Sequence, residues 1–351
     1  MRILEVSRYK NNFADHQLPF VTEQGEAIAQ ELRKLDNGHL TLDNGASAVE
    51  YFLVKGNYVT AVRELKKKIR EFRPDIVHAH FGLSAITAEL QALVPVVTTF
   101  HNGETLNKKV NFLSSLFSLR AKHVIYVAQH IRDLSYFKAK SYSIIPCGVS
   151  LEDCFLMDKA EARRKLGWSD DKKYIMFGGA FSNTRKNYAL LKEAVDILNH
   201  QFEIIVPNGK ETINHKSAFI ECIEMRELSR YDCILRMNAA DLFALPSHSE
   251  GSPQALKEAM AVNCPCIATD IADVRELFSS EPGHWILRNP RKTHERWDGD
   301  EKSLDEMVEL LKEALAYEGR TKGRNRILEL GLSNEQVAKK IINIYNKILK
   351  K

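Results

Sequence analysis

Short apolar runs alternate with amphipathic helical stretches along nearly the whole chain, and this alternation limits the fold more than any other feature of the sequence. The apolar runs are the expected strands, and they begin at Arg2, Val49, Asp75, Val94, His123, Tyr142, Lys173, Phe202, Asp241, Cys264 and His284. A strand–helix–strand order joins neighbouring strands in parallel, because the helix carries the chain back along the sheet. The sequence therefore predicts an α/β protein with mostly parallel, doubly wound sheets.

The length of the chain divides this alternation between two domains. A single core rarely serves 351 residues, so two domains of roughly 100 to 200 residues each are expected. The apolar run from Tyr142 ends in the segment IPCGVSLEDCF, near Cys147, and the alternation starts again beyond it. We therefore predict two Rossmann-like domains with a boundary after residue 150.

Composition narrows the class of protein. Hydrophobic residues make up 44% and charged residues 27%, as in soluble globular proteins. A formal net charge of +4 is too small to indicate nucleic-acid binding. No apolar run approaches the ~18 to 20 residues that cross a bilayer, and the start MRILEVSRYKNNF lacks a signal-peptide pattern, so we expect a cytoplasmic protein. The six cysteines have no Cys-x-x-Cys spacing, which favours reduced, buried thiols over a zinc site.

The segment LPSHSEGSPQALKEAMAVNCPCIATD, from Leu245, predicts a strand end, a tight loop, a helix and a further strand. Ser252 suits the N-cap and Pro253 the first helical position, so the helix is expected to begin at one of them. The first amides of a helix and its dipole attract anions. Glu250 precedes this anion site and Glu258 lies inside the helix, although acidic residues are also common at a helix start for electrostatic reasons alone.

The segment FGGAFSNTRKNYALLKEAV, from Phe177, predicts a strand, a glycine turn and a helix that opens with two cations. Arg185 and Lys186 would lie near the helix N-terminus, where the dipole and the side-chain charges both favour a phosphate. By itself, the segment also fits a solvated basic helix start.

Several polar residues follow the strand that begins at Val94. His101, Asn102, Gly103 and Glu104 stand where its carboxyl end is expected, and ligands of parallel sheets bind at that edge. His78 and His80 alternate along the preceding strand and share one of its faces, so we interpret them as structural histidines with satisfied hydrogen bonds.

The Glu250-x7-Glu258 pair, with EGSP, EAM and the strand IATD, resembles the signature of glycosyltransferase family 4, a retaining group also described as glycosyl transferases group 1. The resemblance extends to IPCGVSLEDCF, similar to the interdomain hinge of the family, with Cys147 and Ser150 in place of the commoner Asn and Asp. It implies the GT-B fold, in which two Rossmann-like domains face each other across a cleft. It also implies that the last helix, 335–351, crosses back to the acceptor-side domain 1–150, whereas residues 151–334 bind the nucleotide-sugar. That this helix covers only the second domain is the alternative.

The resemblance also implies roles for individual residues. The sugar is oriented by His101 and Glu250, and the ribose is bound by Glu258. The donor diphosphate is bound by Arg185, Lys186, Gly251, Ser252, Pro253 and Gln254. The acceptor side includes Asn102, Gly103, Glu104, Lys10, Asn12 and His16. Two departures from the family pattern are Ala180, where an Arg is usual, and a first loop without Gly-Gly. We expect Arg185 to replace the missing Arg, or donor binding to be weaker.

The implied activity is transfer of a hexose from a nucleoside diphosphate-sugar, UDP rather than GDP, to a hydroxyl of a glycan or lipid-linked acceptor. The pathway would be bacterial cell-surface polysaccharide synthesis, with no metal, no further cofactor and no nucleic acid as partner. Two alternatives stay open: a nucleotide-sugar epimerase of GT-B fold, and a non-catalytic subunit that binds sugar nucleotide or lipid.

Two stretches of the N-terminal half are basic, 63–73 and 107–123. The second mixes Phe and Leu with Lys and Arg, as does a helix that contacts the inner face of the cytoplasmic membrane, although a core-packed helix with a basic rim gives the same pattern. The Asp298-Gly299-Asp300 sequence mimics a metal-binding Asp-x-Asp, but it follows no expected strand and we interpret it as a turn.

Overall fold

A computed structural model describes residues 1–8, 19–35, 49–55, 57–205, 220–225, 228–290, 292–293, 296–297 and 299–350. The chain divides into two compact units. The N-terminal unit comprises Met1–Gly148 together with Gly331–Lys351, and the C-terminal unit comprises Val149–Leu330.

The N-terminal unit is built on a six-stranded parallel sheet in the order β2-β1-β3-β4-β5-β6. Its strands are β1 (Ile3–Arg8), β2 (Val49–Val54), β3 (Ile76–His80), β4 (Val96–Phe100), β5 (His123–Tyr126) and β6 (Tyr142–Ile144). The helices between them are α1 (Pro19–Leu35), α2 (Tyr58–Phe72), α3 (Gly82–Gln91), α4 (Lys108–Ser118) and α5 (Gln129–Leu134).

The C-terminal unit has a five-stranded parallel sheet in the order β11-β10-β9-β7-β8. Its strands are β7 (Lys173–Phe177), β8 (Ile220–Glu224), β9 (Leu242–Leu245), β10 (Cys266–Thr269) and β11 (His284–Leu287), and a short antiparallel pair follows, β12 (Lys292–Thr293) with β13 (Arg296–Trp297). The helices are α6 (Lys159–Leu166), α7 (Tyr188–Ile205), α8 (Arg230–Ala239), α9 (Gln254–Ala261), α10 (Val274–Phe278), α11 (Glu301–Ala316) and α12 (Gly323–Glu329).

The last helix, α13 (Asn334–Leu349), belongs to the N-terminal unit. A capping box of Ser333 and Gln336 fixes its start, because each side chain accepts a hydrogen bond from the other's backbone N–H. Its apolar face packs into the core that contains Ile3 of β1 and Ile28 of α1. The predicted GT-B fold, with a last helix that returns to the N-terminal domain, is confirmed.

Helices cover both faces of the N-terminal sheet, as its alternating side chains require. Ile3 and Ile76 point to the face that α1 and α13 cover. Leu4 and Val77, the next residues along, belong to the core under α2 and α3. Because the strands are parallel and helices cover both faces, the carboxyl ends of the strands lie together along one side of the sheet, between the two helical layers. That side is called the carboxyl edge below.

One predicted strand is wrong. Helix α7 continues through Ile205, so the first four residues of the run FEIIVPNG from Phe202 are helical, and the last four lie outside the described residues. The neighbour of β7 is instead β8, Ile220–Glu224, which the sequence analysis missed. A short apolar run fits a buried helix and a strand equally well. The charged residues of β8 are tolerated because it is an edge strand of this sheet.

The six cysteines are free thiols, and all except the half-buried Cys222 are buried, as predicted. Among the described helices, none is both long enough and apolar enough to cross a membrane.

Candidate functional site

The loop between β9 and α9 differs in one respect from its prediction. Helix α9 begins at Gln254 with Pro253 as its N-cap, and no side chain caps it. Ser252 is not the N-cap, because its hydroxyl donates a hydrogen bond to Asp273 Oδ2 at 2.8 Å. The positive end of the α9 dipole is therefore not capped by a side chain.

Lys186 and Glu250 form an ion pair at the carboxyl edge of the C-terminal sheet. Lys186 Nζ lies 2.7 Å from Glu250 Oε1, and the two side chains are 17% and 10% exposed. Lys186 ends the 3₁₀ turn Thr184–Lys186 after β7, whereas Glu250 follows β9, and these two strands are neighbours. The backbone ties the loops together, because the N–H of His248 donates to the carbonyl oxygen of Arg185 at 2.9 Å. A cation and a carboxylate thus meet where ligands of parallel sheets bind.

Glycine is required for the path of the loop after β7. A Cβ atom on Gly179 would lie 2.8 Å from Lys186 Cγ, so only glycine lets the Lys186 side chain cross the turn. Asn187 follows in the left-handed conformation with φ 57° and closes the 3₁₀ turn. Both amide atoms of the Asn187 side chain and the Ser247 hydroxyl are buried without a hydrogen-bond partner among the described residues. These loops therefore carry polar atoms that a ligand can satisfy.

A network of polar side chains joins the loop between β9 and α9 to neighbouring parts of the C-terminal unit. Lys257 is fully buried, and its Nζ donates to Ser252 Oγ at 3.0 Å, so Ser252 links Lys257 to Asp273. Burial raises the pKa of Asp273, and the Lys257 charge opposes that rise. Because Lys257 is fully buried and Asp273 is half-buried, the network restricts the position of Ser252.

Glu258 lies on the inner side of α9, with a cation beside it. Its Oε1 is 3.2 Å from Arg230 Nη1, and Arg230 Nε is 3.4 Å from Asp153 Oδ2. Burial raises the pKa of Glu258, whereas the charges of Arg230 and Lys257 act to lower it. The carboxylate can accept hydrogen bonds from two hydroxyls once it is ionised, and Arg230 favours that form.

The other predicted donor-site residues have simpler environments. Gly251 and Gln254 are half-buried at the start of α9, and Pro253 is buried. Arg185 is half-buried, and its guanidinium makes no hydrogen bond or ion pair within the part of the chain that the structure describes. Ala180 offers only its carbonyl oxygen, which accepts from the N–H of Asn183 at 3.0 Å.

In the N-terminal unit, His101 ends a row of hydrogen-bonded side chains. Glu5 Oε2 lies 2.8 Å from His80 Nε2, and His80 Nδ1 lies 3.0 Å from His101 Nε2. On its other side, His101 Nδ1 is 3.6 Å from Cys147 Sγ. Glu5 and His80 are buried, whereas His101 is half-buried just beyond β4. The row therefore runs from a buried carboxylate to an accessible imidazole at the ligand-binding edge.

The row has a defined charge at its buried end. Burial alone would raise the pKa of Glu5, but the adjacent His78 and His80 outweigh it and lower that pKa to about 2. Burial and the charge of His78 lower the pKa of His80, although Glu5 acts in the opposite direction. Glu5 is therefore a carboxylate at neutral pH and fixes which nitrogen of His80 carries a proton.

His78 is a structural histidine. Its Nδ1 lies 2.6 Å from the Tyr345 hydroxyl and its Nε2 lies 2.7 Å from Thr99 Oγ1. Glu5, His78 and His80 each offer an atom within 4.8 Å of the others, which is close enough to share a metal ion. A metal ion would have to replace the hydrogen bonds that now occupy both nitrogens of His78 and Nε2 of His80.

Glu104 is turned away from the edge of the sheet. Its carboxylate accepts hydrogen bonds from the N–H of Gly82 at 2.9 Å and of His101 at 3.2 Å. Burial raises the pKa of Glu104 to about 7, although these backbone N–H groups lower it. Glu104 thus holds the backbone of His101, while Asn102 adopts φ 91° and Gly103 is exposed. That Asn102, Gly103 and Glu104 contact an acceptor stays a prediction.

Lys10, Asn12 and His16 lie outside the described residues, as does Asp298. Gly299 has φ 78°, as expected of a turn, and Asp300 forms the N-cap of α11. Asp300 Oδ2 accepts from Ser303 Oγ and Arg288 Nη2, so this aspartate stabilises the start of a helix.

Sequence reasoning missed four residues of these arrangements: Glu5, Cys147, Arg230 and Asp273. Glu5 had one local signal, since it is a lone acid inside an apolar strand. The other three are brought in by tertiary contacts, and nothing in their immediate sequence indicates a site.

Two family sequence models match the chain. The model of Glycosyltransferase Family 4 matches residues 27–153, and the model of Glycosyl transferases group 1 matches residues 158–295. Together they span well over half of the chain. The chain therefore belongs to glycosyltransferase family 4, as its motifs predicted.

Bacterial relatives carry names that specify their activity. The chain is 27% identical over 240 residues to TuaC of Bacillus subtilis, named as a glycosyltransferase of teichuronic acid biosynthesis, with 63% of this chain and 59% of TuaC covered. It is 24% identical over 283 residues to the Campylobacter jejuni N,N'-diacetylbacillosaminyl-diphospho-undecaprenol alpha-1,3-N-acetylgalactosaminyltransferase, with 74% and 75% covered. The match thus spans less than two thirds of TuaC.

Solved structures share the fold over nearly the whole chain. Sucrose-phosphate synthase from Thermosynechococcus elongatus superposes with a TM-score of 0.72 at 14% identity and covers 99% of this chain and 100% of its own. Anabaena HepE in complex with UDP and glucose gives a TM-score of 0.67 at 13% identity, with 99% and 100% covered. At these identities the likeness establishes the fold.

Proposed function

We propose that this protein is a retaining hexosyltransferase that moves a sugar from a nucleoside diphosphate-sugar to a hydroxyl of a glycan or lipid-linked acceptor. The observation that carries this proposal is the Lys186–Glu250 pair, 2.7 Å apart at the carboxyl edge of the C-terminal sheet and beside the start of α9. Family membership and the names of the bacterial relatives support polysaccharide or lipid-linked glycan synthesis as the setting. The complex of HepE with UDP favours UDP over GDP.

The donor diphosphate would bind where cations and helix amides converge. Lys186 and Arg185 would supply positive charge, and Gly251, Ser252 and Gln254 would supply backbone N–H groups near the helix start, with Pro253 fixing the turn between them. Charge builds up on the diphosphate as it leaves, so donors fixed in advance stabilise the transition state more than the ground state. The structure holds Lys186 in place with Glu250 before any ligand arrives.

Glu258 would accept hydrogen bonds from the two ribose hydroxyls. A carboxylate offers two oxygens to two adjacent donors, which suits a vicinal diol. Since Glu258 lies eight residues after Glu250, the proposed ribose and sugar contacts would lie at the two ends of the same short segment.

The transfer step itself would occur on one face of the sugar. The bond from the anomeric carbon to the diphosphate oxygen breaks, and the acceptor oxygen forms its bond on the same face, so the configuration is retained. The acceptor proton passes to the departing phosphate oxygen, and no metal is required in this scheme. Glu250 and His101 would orient the sugar, and the row that starts at Glu5 would hold the His101 imidazole in one tautomer and orientation.

We further propose that helix α4 contacts an anionic membrane surface. Its buried side chains are small and polar, Asn111, Ser114, Ser115 and Ser118. Its outward side chains are apolar, Phe112 (45% exposed), Leu113 (43%), Leu116 (39%) and Leu119 (48%). Lys108, Lys109, Arg120 and Lys122 flank them and are exposed. This pattern is the reverse of a core-packed helix, and a basic rim around an apolar face suits anionic lipid.

A nucleotide screen tests the donor proposal directly. We expect UDP to raise the melting temperature of the purified protein more than GDP, ADP or CMP, because only a ligand of the native state stabilises it. Incubation with UDP-sugars and an undecaprenyl-diphosphate-linked acceptor should then give a product with the anomeric configuration of the donor. If the protein formed an epimer from the donor alone, the epimerase would replace the transferase as the proposed function. If it bound donor without any transfer, the non-catalytic subunit would replace it.

A further inference from the structure

The N-terminal unit has a pocket of about 950 Å³ at the amino ends of its strands. It lies where β4 and β5 begin, near Val96 and His123, and the end of α13 forms one wall through Ile344 and Ile348. His101 follows the carboxyl end of β4, at the opposite edge of the same sheet. The pocket is therefore separate from the site described above, and its volume falls in the range of small-molecule sites.

The rim of this pocket is positively charged. Arg120, Lys122 and Lys347 line it, and none of the three has a carboxylate within 4.0 Å among the residues that the structure describes. The remaining basic group, His123, is bonded through both ring nitrogens to Ser141 Oγ at 2.8 Å and Ser143 Oγ at 2.9 Å. Burial and the Lys347 charge lower the pKa of His123, so the lysines and the arginine supply the charge at neutral pH.

Glu89 is a buried acid that lines the pocket. Glu89 is 5% exposed, and its Oε1 has no hydrogen-bond partner among the described residues. Burial raises the pKa of Glu89 to about 8 despite the opposing charges of Arg120 and Lys122, so at neutral pH it is mostly an uncharged acid that can donate a hydrogen bond. The pocket thus presents cations and a neutral donor rather than a closed ion pair.

Part of the remaining lining is apolar. The connection after α3 contributes Leu93, Val94 and Pro95. The Gln91 side chain holds it through Nε2 to the Val94 carbonyl oxygen at 2.7 Å and through Oε1 to the N–H of Leu93 at 2.6 Å. A ligand that fits this lining has an anionic group at the rim and an apolar or ring-bearing portion against the wall.

We propose that this pocket binds an organic phosphate, with the phosphate held by Arg120, Lys122 and Lys347 and the organic portion against Ile344, Ile348 and Val94. A phosphate accepts several charge-assisted hydrogen bonds at once, which matches three cations better than a single carboxylate does. The same group can belong to a soluble ester or to a lipid headgroup. The proposal does not depend on transferase activity, because the site lies within the N-terminal unit alone.

The test uses phenyl phosphate, which joins a phosphate to an apolar ring, with phenol as the uncharged control. Binding to the full chain is measured by isothermal titration for the wild type and for an Arg120→Ala/Lys347→Ala double variant. We expect phenyl phosphate to bind the wild type and the double variant to bind it at least about tenfold more weakly, since charge-assisted hydrogen bonds are lost. Phenol should bind neither protein measurably.

Two controls locate the binding. Lys67→Ala removes an exposed cation on α2 and should bind phenyl phosphate as the wild type does, whereas Lys186→Ala removes the proposed donor cation and reports any phenyl phosphate that binds there instead. Phosphatidylcholine vesicles with and without phosphatidic acid form a second arm. Loss of vesicle binding in a Lys347→Ala single variant, which keeps the basic residues that flank α4, with no binding of soluble phosphate by any protein, identifies a lipid headgroup as the phosphate. Three results would overturn the proposal. The wild type and the double variant bind both probes equally, or no protein binds either probe, or only Lys186→Ala loses binding of phenyl phosphate.

Discussion

His80 Nδ1 lies 3.0 Å from His101 Nε2, and this contact joins a histidine at the ligand edge of the N-terminal sheet to a buried carboxylate, Glu5. The two rings are stacked, with centroids 5.3 Å apart and planes 24° apart. His101 is therefore held by a hydrogen bond and by ring contact, and its position depends on the buried residues His80 and Glu5.

His80→Gln should lower kcat by up to about a hundredfold while the affinity for UDP stays unchanged. The physical reason is that a positioning side chain displaced by about 1 Å can cost that much rate, whereas the proposed nucleotide site lies in the C-terminal unit. Steady-state kinetics with separate UDP titrations measure the two quantities. His200→Ala, an exposed histidine on α7, is the control. Unchanged kcat in His80→Gln would show that the row is structural only.

Glu5→Gln should make stability less dependent on acid pH. The folded-state pKa of Glu5 is lowered to about 2 from an ordinary value of 4.5. A lowered pKa gives stability that is fully present above pH 4.5 and is lost as the pH falls toward about 2. Urea unfolding of both proteins across this range should show a difference that is largest above pH 4.5 and shrinks below it. A constant difference would mean that the charge of Glu5 contributes nothing.

Lys186→Ala should abolish most of the thermal stabilisation that UDP gives, with an affinity loss of about tenfold or more. A charge-assisted hydrogen bond to phosphate is lost, and Glu250 loses its partner. Lys192→Ala, an exposed lysine that pairs with Asp196 on α7, serves as the matched control and should respond to UDP as the wild type does. Equal shifts in all three proteins would exclude Lys186 from the donor site.

Arg230→Gln should make nucleotide binding depend on pH. Burial raises the pKa of Glu258, and Arg230 is the main charge that opposes this rise, so its removal raises the pKa further. Because an ionised carboxylate is the stronger acceptor for ribose hydroxyls, the variant should bind UDP more weakly than the wild type at acid pH and recover as the pH rises into the alkaline range. Isothermal titration across that range tests this, with Arg236→Gln on the same helix as control. A flat pH profile for Arg230→Gln would separate Glu258 from ribose binding.

Phe112→Ser/Leu116→Ser should reduce binding to vesicles that contain anionic lipid. Both side chains are exposed on α4, so their loss removes apolar contact area without a cavity in the core. Vesicle co-sedimentation measures the effect, and a Leu328→Ser variant, at an exposed leucine of α12, is the control. Co-sedimentation equal to that of the wild type would leave the apolar face of α4 without a role at a membrane.

The sequence predicted the parallel sheets, the two units, the return of the last helix and the order of the loops around Lys186, Glu250 and Glu258. Those features depend on local properties, because the alternation of apolar runs sets the strands and glycine turns set the loops between them. Even so, local reasoning assigned the run after Phe202 to a strand, since a short apolar run fits both structures.

Only the tertiary structure decided which side chains meet. Strand order places β1, β3 and β4 side by side, and this brings Glu5 to His80 across 75 positions and His80 to His101 across 21. The same long-range packing turns Ser252 from the predicted N-cap to Asp273. Helix periodicity gives α4 an apolar face, but whether that face lies in the core or outside depends on the neighbouring α3, which accepts only its small polar residues. The sequence thus determined most of the helices and strands and the proposed ligand edge of each sheet, whereas contacts between residues far apart in the chain determined the hydrogen bonds and charges there.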